Sequence, residues 1–303
     1  MESAEKKLFD GEELDLKVAL SIIWGKKFHI ILISSIFAIF SVFYALSIPN
    51  TYESTAIVAP VDEDVPVSGS LGGLGSLVGI NLGSSSNDID QTIAILNSHI
   101  FLSNFINKHQ ISPILMAVRG WDINEDALVY DSKIYDVEKK TWVANFGAQK
   151  KSSPSIQEQV KTFREIYSVA KDRTSGLINI SIKSFSPNIS KKWVDWIVED
   201  INSYMKDEKI KSANNVLNYL NREILKTNIS EVRNVLADLI KKETQTIALS
   251  KKSSEYVFKT IDPAIAPEIK SGPFRSIICI VITVFGFVVS LIYVFLTHFL
   301  RRI

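Results

Sequence analysis

The side chains best equipped for chemistry here are four histidines, one cysteine and several adjacent acids, and their spacing assembles no catalytic or metal constellation. His99 and His109 lie ten residues apart on one expected helix, too far along its axis to share a metal. His29 and His298 sit at the ends of apolar runs, where a ring reaches a polar interface. Cys279 lies inside the second of those runs and reads as a small buried hydrophobe. There is no G-x-S-x-G, no H-E-x-x-H and no Cys/His zinc spacing. Asp207 and Glu208 fall in a charge-rich helical stretch and read as a solvated face. Residues 68–86 (SGSLGGLGSLVGINLGSSS) invite a phosphate-cradling loop. The stretch holds no lysine, and G-x-x-x-x-G-K-[ST] occurs nowhere in the chain. Its leucines and valine instead predict a partly apolar loop or short helix that packs on a neighbour or on a membrane surface. Trp121, Tyr130, Tyr135 and Trp142 lie among Asp, Asn and Lys; such rings stack on sugars or anchor a loop on its own domain, and anchoring is the expectation. The chain is thus expected to be no enzyme and to hold no cofactor and no metal.

The elements that must position these residues begin with two apolar runs. Residues 28–48 (FHIILISSIFAIFSVFYALSI) and 276–299 (SIICIVITVFGFVVSLIYVFLTHF) contain no Asp, Glu, Lys or Arg. At about 1.5 Å per residue each covers the roughly 30 Å of a hydrocarbon core. The first is too long for a signal-peptide core and reads as a retained anchor. Lys17, Lys26 and Lys27 precede it, while Glu53, Asp62, Glu63 and Asp64 follow it and no Lys or Arg appears again before Lys108. The positive-inside rule then puts residues 1–27 in the cytoplasm. Lys270 and Arg275 before the second run, against Arg301 and Arg302 after it, leave that run ambiguous alone. Two spans return residues 300–303 to the cytoplasm and put 49–275 outside it. Ser34, Ala38, Ser41 and Ala45 in the first run, and Cys279, Thr283, Gly286 and Ser290 in the second, each fall on one helix face. Small faces let helices approach closely in lipid, so these predict a packing surface within or between subunits. A net charge of +1 gives no global attraction to nucleic acid.

Between the spans the pattern predicts a mixed domain. Residues 51–59 and 176–184 alternate as strands, and 255–261 as a third. Residues 88–109 read as a helix with Asn87 or Asp88 as its cap. Ser155 and Glu158 form a capping box for another, running to about Asp172. From Pro187 to about Lys251 there is no Pro or Gly, which predicts a long helical arm with a bend between Lys206 and Asn215. Leu217, Leu220, Ile224, Val232, Val235 and Leu239 continue its apolar stripe, and with little of one subunit left to cover them they are read as oligomer-facing. Residues 262–275, with Pro263, Pro267 and Pro273, read as a stiff proline-rich stalk.

This order of parts resembles the Wzz family of polysaccharide co-polymerases, the O-antigen chain-length determinants. The residues that carry the resemblance are 256–267 (YVFKTIDPAIAP) running into Pro273 and Arg275, with Pro154-Ser155 and Ser186-Pro187 ahead of the two later helices. Gly272-Pro273-Phe274-Arg275 is a sparser proline run than the family's. The resemblance implies a membrane-anchored α+β protein: two transmembrane helices flanking a periplasmic α/β base with a long extended helix. It implies a ring-like homo-oligomer in the bacterial inner membrane, acting with a separate membrane O-antigen polymerase on lipid-linked polysaccharide and setting its modal length. With no Walker motif and an end at Ile303, the kinase-free kind is expected. The alternatives are a co-polymerase for capsule or exopolysaccharide and, from another class, a two-span periplasmic sensor.

Overall fold

A computed structural model describes residues 23–61, 85–146 and 152–300. The glycine-rich stretch up to residue 84 and both termini lie outside them. The chain divides into two compact units, 1–50 with 271–303, and 51–270.

The first unit is a helix pair. Helix α1 spans Lys27–Ser47 and the last helix of the chain spans Arg275–Leu300. Both are long and apolar enough to cross a membrane. The two pack on one another. Many of their large apolar side chains, among them Phe40, Phe43, Ile280 and Val281, are exposed. That is the reverse of a water-soluble core and suits a lipid solvent.

The second unit is built on a four-stranded antiparallel sheet. Strand β1 (Tyr52–Pro60) alternates Tyr52, Ser54, Ala56 and Val58 inward against half-buried neighbours. It lies between β7 (Ile178–Ser184) and β8 (Phe258–Asp262), and β6 (Tyr167–Lys171) completes the order β6-β7-β1-β8. Ile178, Ile180 and Ile182 share the inner face. Between β1 and β6 come α2 (Ser85–Leu96), α3 (His99–Lys108) and α4 (Ser112–Ala117). After them come the hairpins β2 (Val118–Asp122) with β3 (Ala127–Tyr130) and β4 (Tyr135–Asp136) with β5 (Thr141–Trp142), and then α5 (Ile156–Ile166). The core joins the sheet to Leu102, Phe105 and Ile106 of α3, Phe163 of α5, and Trp193, Val194, Ile197 and Ile201. Those last four lie on α6 (Pro187–Lys226), which α7 (Ser230–Lys252) follows; Arg275–Leu300 is α8.

Four expectations need correction. The helix expected over 88–109 is two. It starts at Ser85, so Asn87 and Asp88 lie inside α2, and it breaks before Ser98, whose hydroxyl accepts from the Phe101 amide and caps α3. The helix expected to reach Asp172 stops at Ile166, because Tyr167–Lys171 pairs with β7, Tyr167 opposite Ile182. Aromatic and β-branched residues favour that choice, and a free ladder edge decides it. Its Ser155–Glu158 capping box is present at the other end. The third correction concerns 206–215, which is uninterrupted helix. The break falls instead at 227–229, where Thr227 and Ile229 are extended. Thr, Asn and Ile in succession are all weak helix formers. The fourth follows from it: α7 turns back along α6. The chain has to return, since β8 must pair with β1. At about 1.5 Å per residue, α7 runs back over roughly 35 Å of the distal part of α6.

Candidate functional site

The paired spans owe their closeness to small side chains. Ser41, Ala45, Gly286 and Ser290 are buried between them, and Ser34, Ala38, Cys279 and Thr283 are half-buried. The hydroxyls are turned inward on their own helices: Ser41 donates to Ala38 O, Thr283 to Cys279 O and Ser290 to Phe287 O. Along these small faces the helices therefore meet by close packing, since the three hydroxyls bond within their own helices. A Cβ on Gly286 would lie 2.5 Å from Phe37 Cγ, so only glycine fits there.

Arg275 closes the end of the pair. Its Nε donates to Ala45 O at 3.1 Å, and its Nη2 to Ile48 O and to Asn50 Oδ1. The last carbonyls of a helix lack partners and carry partial negative charge, so a guanidinium there is doubly favourable. Arg275 is thus committed to the C-terminal end of α1.

In the second unit the root of the arm is fixed by two buried polar residues on α6. Asn202 holds β8: its Nδ2 donates to Phe258 O and its Oδ1 accepts from the Val257 and Phe258 amides at 2.9 Å. Asp200 holds α3, accepting from Lys108 Nζ at 2.5 Å and lying 2.9 Å from His109 Nε2. The His109 ring stacks on Trp196 at 4.1 Å. His109 is therefore part of a polar cluster that sequence spacing does not reveal, since Asp200 lies 91 residues away.

Beyond this root the arm is a helical hairpin with incomplete cover. Leu220 is buried by its own chain, and Leu217, Ile224 and Leu239 are half-buried. Val232 and Val235 stay exposed, as do Tyr219, Leu225 and Leu249. The return helix thus supplies, within one subunit, part of the cover expected from a second. Pro263 and Pro267 lie in extended chain fastened to the base, where Ser54 Oγ donates to Ile265 O and Ala264 is buried in the core. Pro273 precedes Arg275 in the other unit.

The aromatic residues of 118–146 divide into two groups. Trp121 packs edge-on against Tyr52 and donates from Nε1 to Asp126, which also accepts from Asn188. It anchors the hairpins, as expected. Tyr130, Tyr135, Trp142 and Phe146 instead form a ladder of ring contacts 5.0 to 6.1 Å apart, outside the main core. Tyr130, Ser132, Tyr135, Asp136, Val137 and Glu138 line an open groove of about 300 Å³ beside it. Burial, then the neighbouring Tyr135, raises the Tyr130 phenol above its usual range. The Lys139 amide holds the Asp136 carboxyl below its usual range. Backbone amides of Thr174 and Ser175 do the same for Asp172 in a surface turn. Tyr167, buried, is pushed far upward by desolvation, and its hydroxyl has no hydrogen-bond partner among the described residues. Among the described residues no three His, Cys, Asp or Glu side chains gather as a metal site.

Comparison with known proteins completes the description. Residues 12–109, about a third of the chain, match the family model of Wzz, described as chain length determinant protein. Among solved structures, a full-length bacterial polysaccharide co-polymerase is 12% identical, with 96% of this chain and 99% of that one covered at a TM-score of 0.40. A fragment of WzzB, a polysaccharide co-polymerase from Salmonella Typhimurium, is also 12% identical, covering 74% of this chain and 100% of its own at 0.30. A point mutant of the Shigella flexneri lipopolysaccharide O-antigen chain-length regulator is 11% identical, covering 73% and 100% at 0.22. No curated protein matches.

Proposed function

We propose that this chain, whose residues 12–109 match the Wzz chain length determinant family model, is a non-enzymatic polysaccharide co-polymerase that sets the modal length of O-antigen on lipid-linked lipopolysaccharide precursors. In this reading it works with a separate membrane polymerase, as a homo-oligomer in the inner membrane. Both termini are cytoplasmic and the sheet domain is periplasmic.

The observation that carries the reading is the family segment joined to a second apolar helix that packs on the first. Two spans that pair within one chain bring both ends of the intervening domain back to one place. A domain tethered at both ends is suited to acting with a membrane enzyme rather than diffusing to a soluble one. The exposed apolar residues of the arm, Val232, Val235 and Leu249 among them, are surface that a neighbouring subunit would cover. Deleting the gene and separating surface lipopolysaccharide on a gel tests the function. Loss of the modal band cluster is expected. An unchanged ladder accompanied by altered transcription would overturn it in favour of a sensor. A reporter fused after Ile303 tests the topology, and activity of that reporter in the periplasm would refute it.

A further inference from the structure

The groove at the β4–β5 hairpin has an unusual lining for a surface that serves only packing. Two phenol rings, one hydroxyl and two carboxylates converge on it, with Val137 as its one aliphatic side chain. Tyr135 is braced from outside the groove by Trp142, whose ring meets it at 5.0 Å and 65°. Trp142 is in turn met by Phe146 at 5.3 Å and 87°. A braced ring loses little freedom when a ligand stacks on it. Asp136 already has partners: its Oδ1 accepts from the Lys139 amide and its Oδ2 pairs with Lys139 Nζ at 3.4 Å. Glu138 has none among the described residues and is exposed. The groove thus combines an aromatic surface, phenol and serine hydroxyls that donate or accept, and a carboxylate free to accept.

That combination discriminates among ligand classes. A phosphate or other anion would meet Glu138, which repels it, and Asp136, whose charge the exposed Lys139 only partly offsets. An apolar anchor could lie on the phenol rings and Val137, but it would strip water from two carboxylates and return no hydrogen bond. A polyhydroxylated ring fits both halves: its C–H face lies on a phenol ring, and its hydroxyls donate to carboxylates and exchange hydrogen bonds with phenols. We propose that the groove lined by Tyr130, Tyr135, Asp136 and Glu138 binds a neutral or amino-sugar stretch of polysaccharide, with Trp142 as a positioning residue behind Tyr135. Such a site gives the chain a direct grip on glycan, so that its length control includes contact with the polymer. The identity of the glycan rests on the proposed function; the chemistry of the groove does not.

The test uses the full chain in detergent. The probe is oligosaccharide released by mild acid from the lipopolysaccharide of the cell that makes this protein, followed by saturation-transfer NMR. Wild type is expected to bind saturably. Tyr135→Ala should weaken binding about tenfold, equivalent to about 1.4 kcal/mol. Tyr135→Phe, which keeps the ring, should lose less, and Glu138→Gln should weaken binding with no change in the circular dichroism spectrum. Trp142→Phe should lower affinity while leaving the ligand's contact pattern intact. Absence of saturable binding by wild type overturns the site. So does equal binding by wild type, Tyr135→Ala and Glu138→Gln, or an effect of these variants only on adsorption to phosphatidylethanolamine–phosphatidylglycerol vesicles. If the site fails while gene deletion still removes the modal bands, the chain-length function stands without it. Variant-sensitive binding in a cell whose ladder survives deletion would refute the chain-length function and keep the site.

Discussion

Replacing Asn202 by leucine tests what fastens the arm to the base. The side chain is 3% exposed, and leucine has nearly its volume, so little cavity forms. What is lost is the connection to β8. Phe258 loses partners for both its amide and its carbonyl, and Val257 loses one for its amide. Val257 is only half-buried, so water can reach its amide. The two groups of Phe258, in a residue with no solvent exposure, have no such recourse. A buried polar group stripped of its partner costs about 1–3 kcal/mol. Two of them predict a loss of about 3 kcal/mol, a fall of about two orders of magnitude in the ratio of folded to unfolded chain. That is a large share of the roughly 5–15 kcal/mol that holds a typical domain. Urea titration of the detergent-solubilised chain measures it. Trp193 and Trp196, on the same helix, report the transition by fluorescence, and Asn215→Ala, on the exposed arm, serves as control. A loss below about 1 kcal/mol would refute the argument, because the amide would then be replaceable by water.

Three further outcomes follow from the same structure. Gly286→Leu drives a side chain into Phe37 and should destabilise the paired spans by about 1–3 kcal/mol, seen as an earlier thermal transition in detergent; an unchanged transition would mean that the helices slide apart freely. Arg275→Ala removes three hydrogen bonds at the end of α1 and should speed proteolysis around Ser47–Asn50, with Arg275→Lys rescuing it only in part because lysine lacks the fork; equal cleavage rates in all three proteins would sink that role. Tyr167→Phe removes a buried hydroxyl that has no partner among the described residues and should leave stability at neutral pH unchanged within about 1 kcal/mol, or raise it. Because the Tyr167 phenol titrates above its ordinary value, the native fold holds its proton more tightly than the unfolded chain does. Its contribution is complete below about pH 10 and lost as pH rises beyond that. The variant should therefore lose that part of the alkaline decline in melting temperature; an identical decline in wild type and variant would count against it.

Features set by neighbours along the chain were legible in the sequence. Two uncharged apolar runs gave α1 and α8 to within a residue or two. Alternation gave β1 and β7, and the Ser155–Glu158 pair gave the start of α5, because each depends on contacts no more than four residues apart. The break at 227–229 left only a faint trace in Thr227, Asn228 and Ile229, whose low helix propensity is a weak signal beside sixty residues without Gly or Pro. Tyr167 turned from helix to strand because β7 offers it a ladder, a partner that no local pattern announces.

Hydrophobic periodicity and capping thus determined which segments are helices, strands and candidate spans, since backbone hydrogen bonding and side-chain spacing are local. Tertiary structure decided what the polar residues do. Asn202 grips Phe258, Asp200 meets His109 and Arg275 caps α1 across separations of 56, 91 and 230 residues. A polar side chain's role is set by what folding brings beside it once water is gone, and that neighbour is not written within reach of its own position.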